Sequence, residues 1–315
     1  MLRGRAFAAL LLPLALSSGA AARDLAVYKG AGCIGAEKLP EYERFIGRRV
    51  DRVVDFLPNA SWQDMKGAAD WLLRCWRKTG HKLALSVPML PRDGSTLDAG
   101  ADGAYDRHYR ELAALIVSHG YGDAILRLGW EFNGDWYAWA AAKNPEAFVR
   151  LWRRIVSIMR EVPGARFRFD WNPVLGRQKI PPDQVYPGDD VVDIIGLDAY
   201  NQTWNPRANT PELKWLDLLD QPFGLKWHRE FAKHHGKPVS FPEWGTGTRP
   251  DGRGGGDDPY YVARMAEWIA GSDLAYQGYW DYAAPDYDAQ LSTGRFPRAG
   301  AQLLKSLDRI VGKRG

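Results

Sequence analysis

Short runs of β-branched and apolar residues recur along the chain, separated mostly by longer stretches whose apolar positions fall three and four apart. The short runs are Leu25–Tyr28, Val50–Phe56, Leu83–Val87, Ala124–Leu128, Arg166–Phe169, Val192–Leu197, Pro238–Phe241 and Tyr276–Trp280. Their length and residue types predict strands. Helix periodicity is clearest over Asp64–Lys78, Tyr105–Ser118, Pro145–Glu161, Trp215–His234 and Pro259–Ile269. Asn144-Pro145 and Asp258-Pro259 each supply a cap residue followed by proline at the first helical position. Between Leu175 and Asp190, the pairs Pro181-Pro182 and Pro187-Gly188 predict a loop with at most one helical turn.

Eight strands alternating with helices predict an α/β chain folded as a single (β/α)8 TIM barrel. The rival is an open doubly wound sheet, which needs a glycine-rich phosphate turn after its first strand. Gly30, Gly32 and Gly35 have that spacing, but the chain then reaches Pro40 too soon for a helix start on phosphate. No acidic residue closes the second run as a ribose hook should, so the dinucleotide reading fails. Residues 23–315 carry no linker or repeat and read as one domain; the glycine-rich Thr246–Asp257 reads as a loop after the seventh strand.

The first 22 residues read as a secretory signal: Arg3 and Arg5, an apolar run from Ala6 to Leu16, then Ala20-Ala21-Ala22 before Arg23. That run is too short for a permanent span, so the expected product is secreted or periplasmic, without stable membrane insertion after cleavage. Basic and acidic residues number 42 and 38, for a net charge of +4, and two of the basic ones lie in the signal. So even a balance gives no reason to expect a nucleic-acid partner. Mean hydropathy is −0.39, which excludes a multi-span membrane protein. Cys33 follows the first strand at the barrel's top, whereas Cys75 lies late in the next helix, on the order of 20 Å down the axis, so two separate thiols are expected rather than a bridge.

What stands out is 14 Trp beside 14 Tyr. Flat apolar faces in that number suit a protein that holds sugar rings. They concentrate where a barrel keeps its chemistry, at the C-terminal ends of the strands. The fourth strand runs into Arg127, Trp130, Glu131, Asn133, Trp136, Tyr137 and Trp139; the fifth ends at Trp171. The sixth ends at Asp198 and Tyr200, the seventh at Glu243 and Trp244, and the eighth at Trp280. Two glutamates facing each other across an aromatic rim are what glycoside hydrolysis needs: one carboxyl protonated to assist departure, the other ionised to attack or to activate water.

These motifs resemble glycoside hydrolase family 26, in the clan of retaining barrels with glutamates on strands four and seven. Arg127-x-x-x-Glu131-x-Asn133-Gly134-x-Trp136-Tyr137-x-Trp139 is similar to its acid/base motif, Pro242-Glu243-Trp244-Gly245 to its nucleophile motif, and Asp198-Ala199-Tyr200 to its sixth-strand motif. The resemblance implies Glu131 as acid/base, Glu243 as nucleophile, Tyr200 orienting Glu243, and Trp280 as platform for the sugar being cleaved. Arg127, Trp130, Asn133, Trp136, Tyr137, Trp139, Trp171, Asp198 and Trp244 are further substrate-contact candidates.

One departure bears on substrate. The family usually carries His before the acid/base, whereas this chain has Trp130; indole donates a hydrogen bond but neither accepts nor titrates. Mannan, mixed β-glucan, β-1,3-xylan and an exopolysaccharide all stay open. The six histidines show no metal spacing, and Ser86 lies in no Gly-x-Ser-x-Gly motif. The expectation is therefore a monomeric, cofactor-free retaining endo-β-glycanase acting on a polysaccharide or oligosaccharide. A barrel that only binds glycan, within an export or matrix system, is the alternative, and exo action depends on the loops after strands three and seven.

Overall fold

The computed structural model describes residues 23–312, so the expected signal segment lies outside the described residues. Strands β1 (Asp24–Tyr28), β2 (Arg52–Phe56), β3 (Lys82–Val87), β4 (Ile125–Leu128), β5 (Arg168–Trp171) and β6 (Ile194–Gly196) pair in parallel, each with the next. Strand β7 (Ala199–Tyr200) continues the sixth stave, and β8 (Val239–Gly245) and β9 (Leu274–Trp280) are the seventh and eighth. Pairing of β6 with β8, and of β1 with β9, closes the ring. The expected (β/α)8 barrel is the fold.

Period-two alternation sorts the side chains. Ala26, Val54, Ala84, Ile125, Ile194 and Tyr276 point inward and form a small barrel core. Leu25, Val27, Val53, Leu126, Phe169, Ile195 and Phe241 point outward into the layer between sheet and helices. That layer is closed by α1 (Gly32–Ile46), α2 (Trp62–Thr79), α3 (Leu97–Ala101), α4 (Asp106–Ser118) and α5 (Pro145–Arg160), then α6 (Pro211–Asp220), α7 (Leu225–His234), α8 (Pro259–Ala270) and α9 (Pro297–Val311). Asn144 and Asp258 cap α5 and α8 with their side chains, as the sequence indicates.

Three expectations are corrected. A helix does follow β1 directly: α1 contains Pro40 on its exposed face, where water can reach the carbonyl that proline cannot bond. Its first turn is no anion site, because the Asp55 carboxylate accepts the Gly32 N–H at 2.8 Å and the Trp76 indole N–H at 2.6 Å. The stretch Trp215–His234 is two helices, broken at Gln221–Gly224, where Phe223 is left-handed (φ 61°) and a Cβ on Gly224 would lie 2.5 Å from the Leu218 carbonyl oxygen.

The third correction is covalent: Cys33 and Cys75 form a disulfide, with Cα atoms 5.0 Å apart. The helices do not descend level with one another. The first turn of α1 lies against the last turns of α2, with Gly32 under the Trp71 ring and Gly35 against Trp76, and this brings position 33 beside position 75.

Candidate active site

Glu243 reaches the barrel interior because β8 is irregular. Phe241 pairs with Gln277, but Trp244 already pairs with Tyr279, so one extra residue is inserted on β8. Such a bulge resets which face a side chain takes. It is accommodated by Gly278 on β9, where a Cβ would sit 2.4 Å from the Pro242 carbonyl oxygen. Trp244, one residue on, then faces outward and is fully buried.

Both carboxylate oxygens of Glu243 are engaged. Oε1 accepts from Arg127 Nη2 at 2.7 Å, and Oε2 accepts from the Tyr200 hydroxyl at 2.7 Å. Arg127 is fully buried beneath the site, and its remaining donors go to Asn172, Ser86 and Asp198. Burial opposes its charge, but the carboxylates of Asp198 and Glu243 outweigh that and hold it protonated. Strict alternation over Ile194, Gly196, Asp198 and Tyr200 delivers both partners from one stave.

Glu131 arrives by a different device. After β4 the backbone turns through two left-handed residues, Gly129 (φ 55°) and Glu131 (φ 53°). The second is costly for a residue with a side chain, on the order of 1–3 kcal/mol, and is held by its N–H bond to the Asn172 carbonyl at 2.7 Å. Burial, and then the charge of Glu243, push the Glu131 carboxyl up to about 8. The Trp136 indole N–H, 3.0 Å from Oε2, pulls the other way. A carboxyl whose protonated form is favoured thus shares the cleft with one bonded to arginine and tyrosine, a pairing that can do the acid-assisted chemistry of glycoside hydrolysis.

Around the pair lies a cleft of about 980 Å3, walled by Tyr28, Phe56, Trp130, Trp136, Tyr137 and Trp280 among others. Tyr28 stacks on Trp280, with ring centroids 4.4 Å apart. Trp130 is nearly buried and donates its indole N–H to the Tyr137 hydroxyl at 3.0 Å, so that donor is already used. Beyond Trp136 and Tyr137 a groove of about 520 Å3 runs past Arg92, Thr96 and Asn144.

The structure brings Trp130, Glu131, Trp136, Tyr137, Asp198, Tyr200, Glu243 and Trp280 to one cleft, with Arg127 directly behind it. Four candidates are elsewhere. Trp171 and Trp244 face outward on their strands and are fully buried, Trp171 stacking on Phe231 of α7. Trp139 is buried beneath the rim, stacked on Tyr137 and bonded to the Trp130 carbonyl. Asn133 is spent on the backbone N–H and carbonyl of Val174, tying together the loops after β4 and β5. None of these four side chains presents a surface to a sugar. Tyr28 and Phe56 line the cleft as well, each closing a strand at the same end of the barrel, where no motif in the sequence marks them.

The fold and the site together define a (β/α)8 barrel with paired glutamates at the ends of its fourth and seventh staves. The resemblance to glycoside hydrolase family 26 holds in the comparisons with known proteins: the profile described as Glycosyl hydrolase family 26 matches residues 123–216. That segment contains Glu131, Asp198 and Tyr200 and ends before Glu243. A mannan endo-1,4-beta-mannosidase of Bifidobacterium adolescentis is 25% identical over 238 residues, which is 67% of this chain and 22% of that protein. Endoglucanase H of Acetivibrio thermocellus is 25% identical over 187 residues, 53% of this chain and 19% of that one. The chain therefore spans about a fifth of the length of these relatives. In fold it is similar to the catalytic domain of a GH26 endo-β-1,4-mannanase from Bacillus sp. JAMB-750, with a TM-score of 0.64 at 19% identity, covering 92% of this chain and 86% of that one. A GH26 β-mannanase from Bacteroides ovatus gives 0.59 at 15% identity, with 94% and 92% covered.

Proposed function

We propose that the chain is a secreted, retaining endo-β-glycanase that hydrolyses a β-linked polysaccharide by double displacement. Glu131 serves as general acid and then base, and Glu243 as nucleophile. The observation that carries the reading is the pairing in one cleft of a carboxyl raised to about 8 with a carboxylate bonded to Arg127 and Tyr200. In the first step Glu243 attacks the anomeric carbon while Glu131 protonates the departing oxygen. Glycosylation removes the negative charge of Glu243, which was one cause of the raised Glu131 pKa. Glu131, having passed its proton to the departing oxygen, therefore stays ionised and takes a proton from the incoming water, whose oxygen attacks the anomeric carbon and releases the Glu243 carboxylate.

Tyr200 orients the nucleophile, and Trp280, backed by Tyr28, offers an apolar face beside it. The names of the relatives make β-1,4-mannan and glucans the first substrates to try. Trp130, whose N–H is already taken by Tyr137, offers the substrate no histidine-like contact, so recognition next to the scissile bond differs from that of family members with His there. Incubating the chain from residue 23 onward with a panel of mannan, mixed β-glucan, β-1,3-xylan and bacterial exopolysaccharide, and sizing the products, tests the reading. Oligosaccharide ladders are expected. Release of single sugars would make the action exo, and no product from any glycan would refute hydrolysis.

A further inference from the structure

We infer that Trp204 is a second sugar-binding platform, remote from the two glutamates, which holds a distal unit of the same glycan chain. The inference rests on the glycanase reading and names a part of the cleft which that reading does not use. Among the described residues Trp204 is the most exposed large hydrophobic side chain, at 56%, and it lines the same cleft as Glu131 and Glu243.

A single exposed indole is common on protein surfaces; the local construction sets this one apart. The Arg249 guanidinium lies 5.3 Å from the ring centroid and that of Arg253 5.9 Å. Arg249 is itself held by Gln202 and Asp251. The loop carrying the indole is tied down on both sides of it. Thr203 Oγ1 and Asn205 Nδ2 both donate to Asp217 at 2.8 Å, and the Thr203 N–H donates to the Arg253 carbonyl.

An apolar ring fixed in advance loses little conformational entropy when a ligand settles on it. The two guanidiniums lie over the ring and bring N–H donors to it, while the 56% exposure of Trp204 leaves apolar surface open for a sugar face. Sugar rings need this combination, with C–H faces against an aromatic and hydroxyls meeting donors at its edge. Trp204 comes from the loop after β7, whereas Trp136, the other exposed indole of the cleft, comes from the loop after β4. Exposed platforms on two separate loops, with the glutamates in the same cleft, suit a polymer threaded through it and not a disaccharide alone.

The test compares W204A, W204F and, as a surface control on α9 outside the cleft, L304A. Each is assayed on soluble β-1,4-mannan and β-1,4-glucan, and on aryl β-disaccharides of the same sugars. On the polymer that the wild type cleaves, W204A is expected to raise KM about tenfold, with W204F recovering part of the loss. Its loss of kcat/KM on the aryl substrate should be several-fold smaller, and L304A should match the wild type on both. Equal losses on polymer and aryl substrate would place the effect at the catalytic centre and overturn the inference, as would no loss on either. If the wild type cleaves no glycan, the glycanase reading falls, and retardation in gels cast with each polymer decides the platform separately. Retardation lost in W204A keeps it as a glycan-binding site, whereas absence of wild-type retardation, or retardation unchanged in W204A, overturns it.

Discussion

One nitrogen of Arg127, Nη2, lies 2.7 Å from Glu243 Oε1 and also donates to Asp198 at 2.9 Å, so the carboxylate at the cleft and the one beneath it share a single buried cation. Removing the guanidinium would leave Asp198 buried without its counter-charge. R127M is therefore expected to lose about 3–5 kcal/mol of stability in denaturant melts. R127K keeps the charge but not the planar fork, so it should fold better than R127M while its kcat still falls about a hundredfold or more. An R127K enzyme with wild-type kcat would show that the fork does not position Glu243.

E131A and E243A should each abolish nearly all turnover, by at least about 10²–10⁴. The thermal midpoint of E243A should move little, because Arg127 retains Asp198 when Glu243 is removed, and that of E131A should not fall, since the buried Glu131 carboxyl costs stability above its unfolded pKa. Activity within tenfold of wild type in either variant would remove that residue from the mechanism.

The raised Glu131 pKa predicts the pH behaviour. The acid must be protonated, so kcat/KM should decline as the pH passes about 8. In the unfolded chain the same group ionises near 4.5, so its contribution to stability is full below that value and is lost as the pH rises towards 8. Asp55 and Asp170, raised by burial to about 6, lose theirs between 3.8 and 6. The difference in melting temperature between wild type and E131Q should therefore change with pH above 6, where those two no longer titrate. W136F removes a donor that favours the Glu131 anion, and should move the alkaline limb of the activity profile upward.

Stereochemistry tests the mechanism independently of the substrate. A retaining pair stands about 5–5.5 Å apart, an inverting pair about 6.5–9.5 Å. The first product should have the β configuration when followed by NMR before mutarotation, and a fluorinated glycosyl donor should label Glu243. Initial α product would exclude a glycosyl-enzyme on Glu243.

The Cys33–Cys75 bond joins the first turn of α1 to the end of α2. C33S/C75S should lose about 2–5 kcal/mol, read as a lower denaturation midpoint, with KM little changed because neither residue lines the cleft. An unchanged midpoint would mean that the packing of Trp71 and Trp76 on α1 already holds the two helices together.

Much of the barrel and half of the site are local properties of the chain. Runs of β-branched residues between helix-period stretches specify eight staves, since each signal needs only neighbouring residues. Alternation along Ile194, Gly196, Asp198 and Tyr200 already places Asp198 and Tyr200 inside. The same parity, applied from Phe169, would have placed Trp171 outside, in the core. Other features depend on how segments meet. The bulge that turns Glu243 inward exists only against β9, where Gly278 leaves room for the Pro242 carbonyl. The left-handed turn at Glu131 is held by a carbonyl on the neighbouring strand end, and the disulfide follows from the offset between α1 and α2. Trp204 is one indole among 14 until the fold sets Arg249 and Arg253 around it. Periodicity along the chain determines which face a side chain takes, but register and helix offset belong to pairs of distant segments, and only packing decides them.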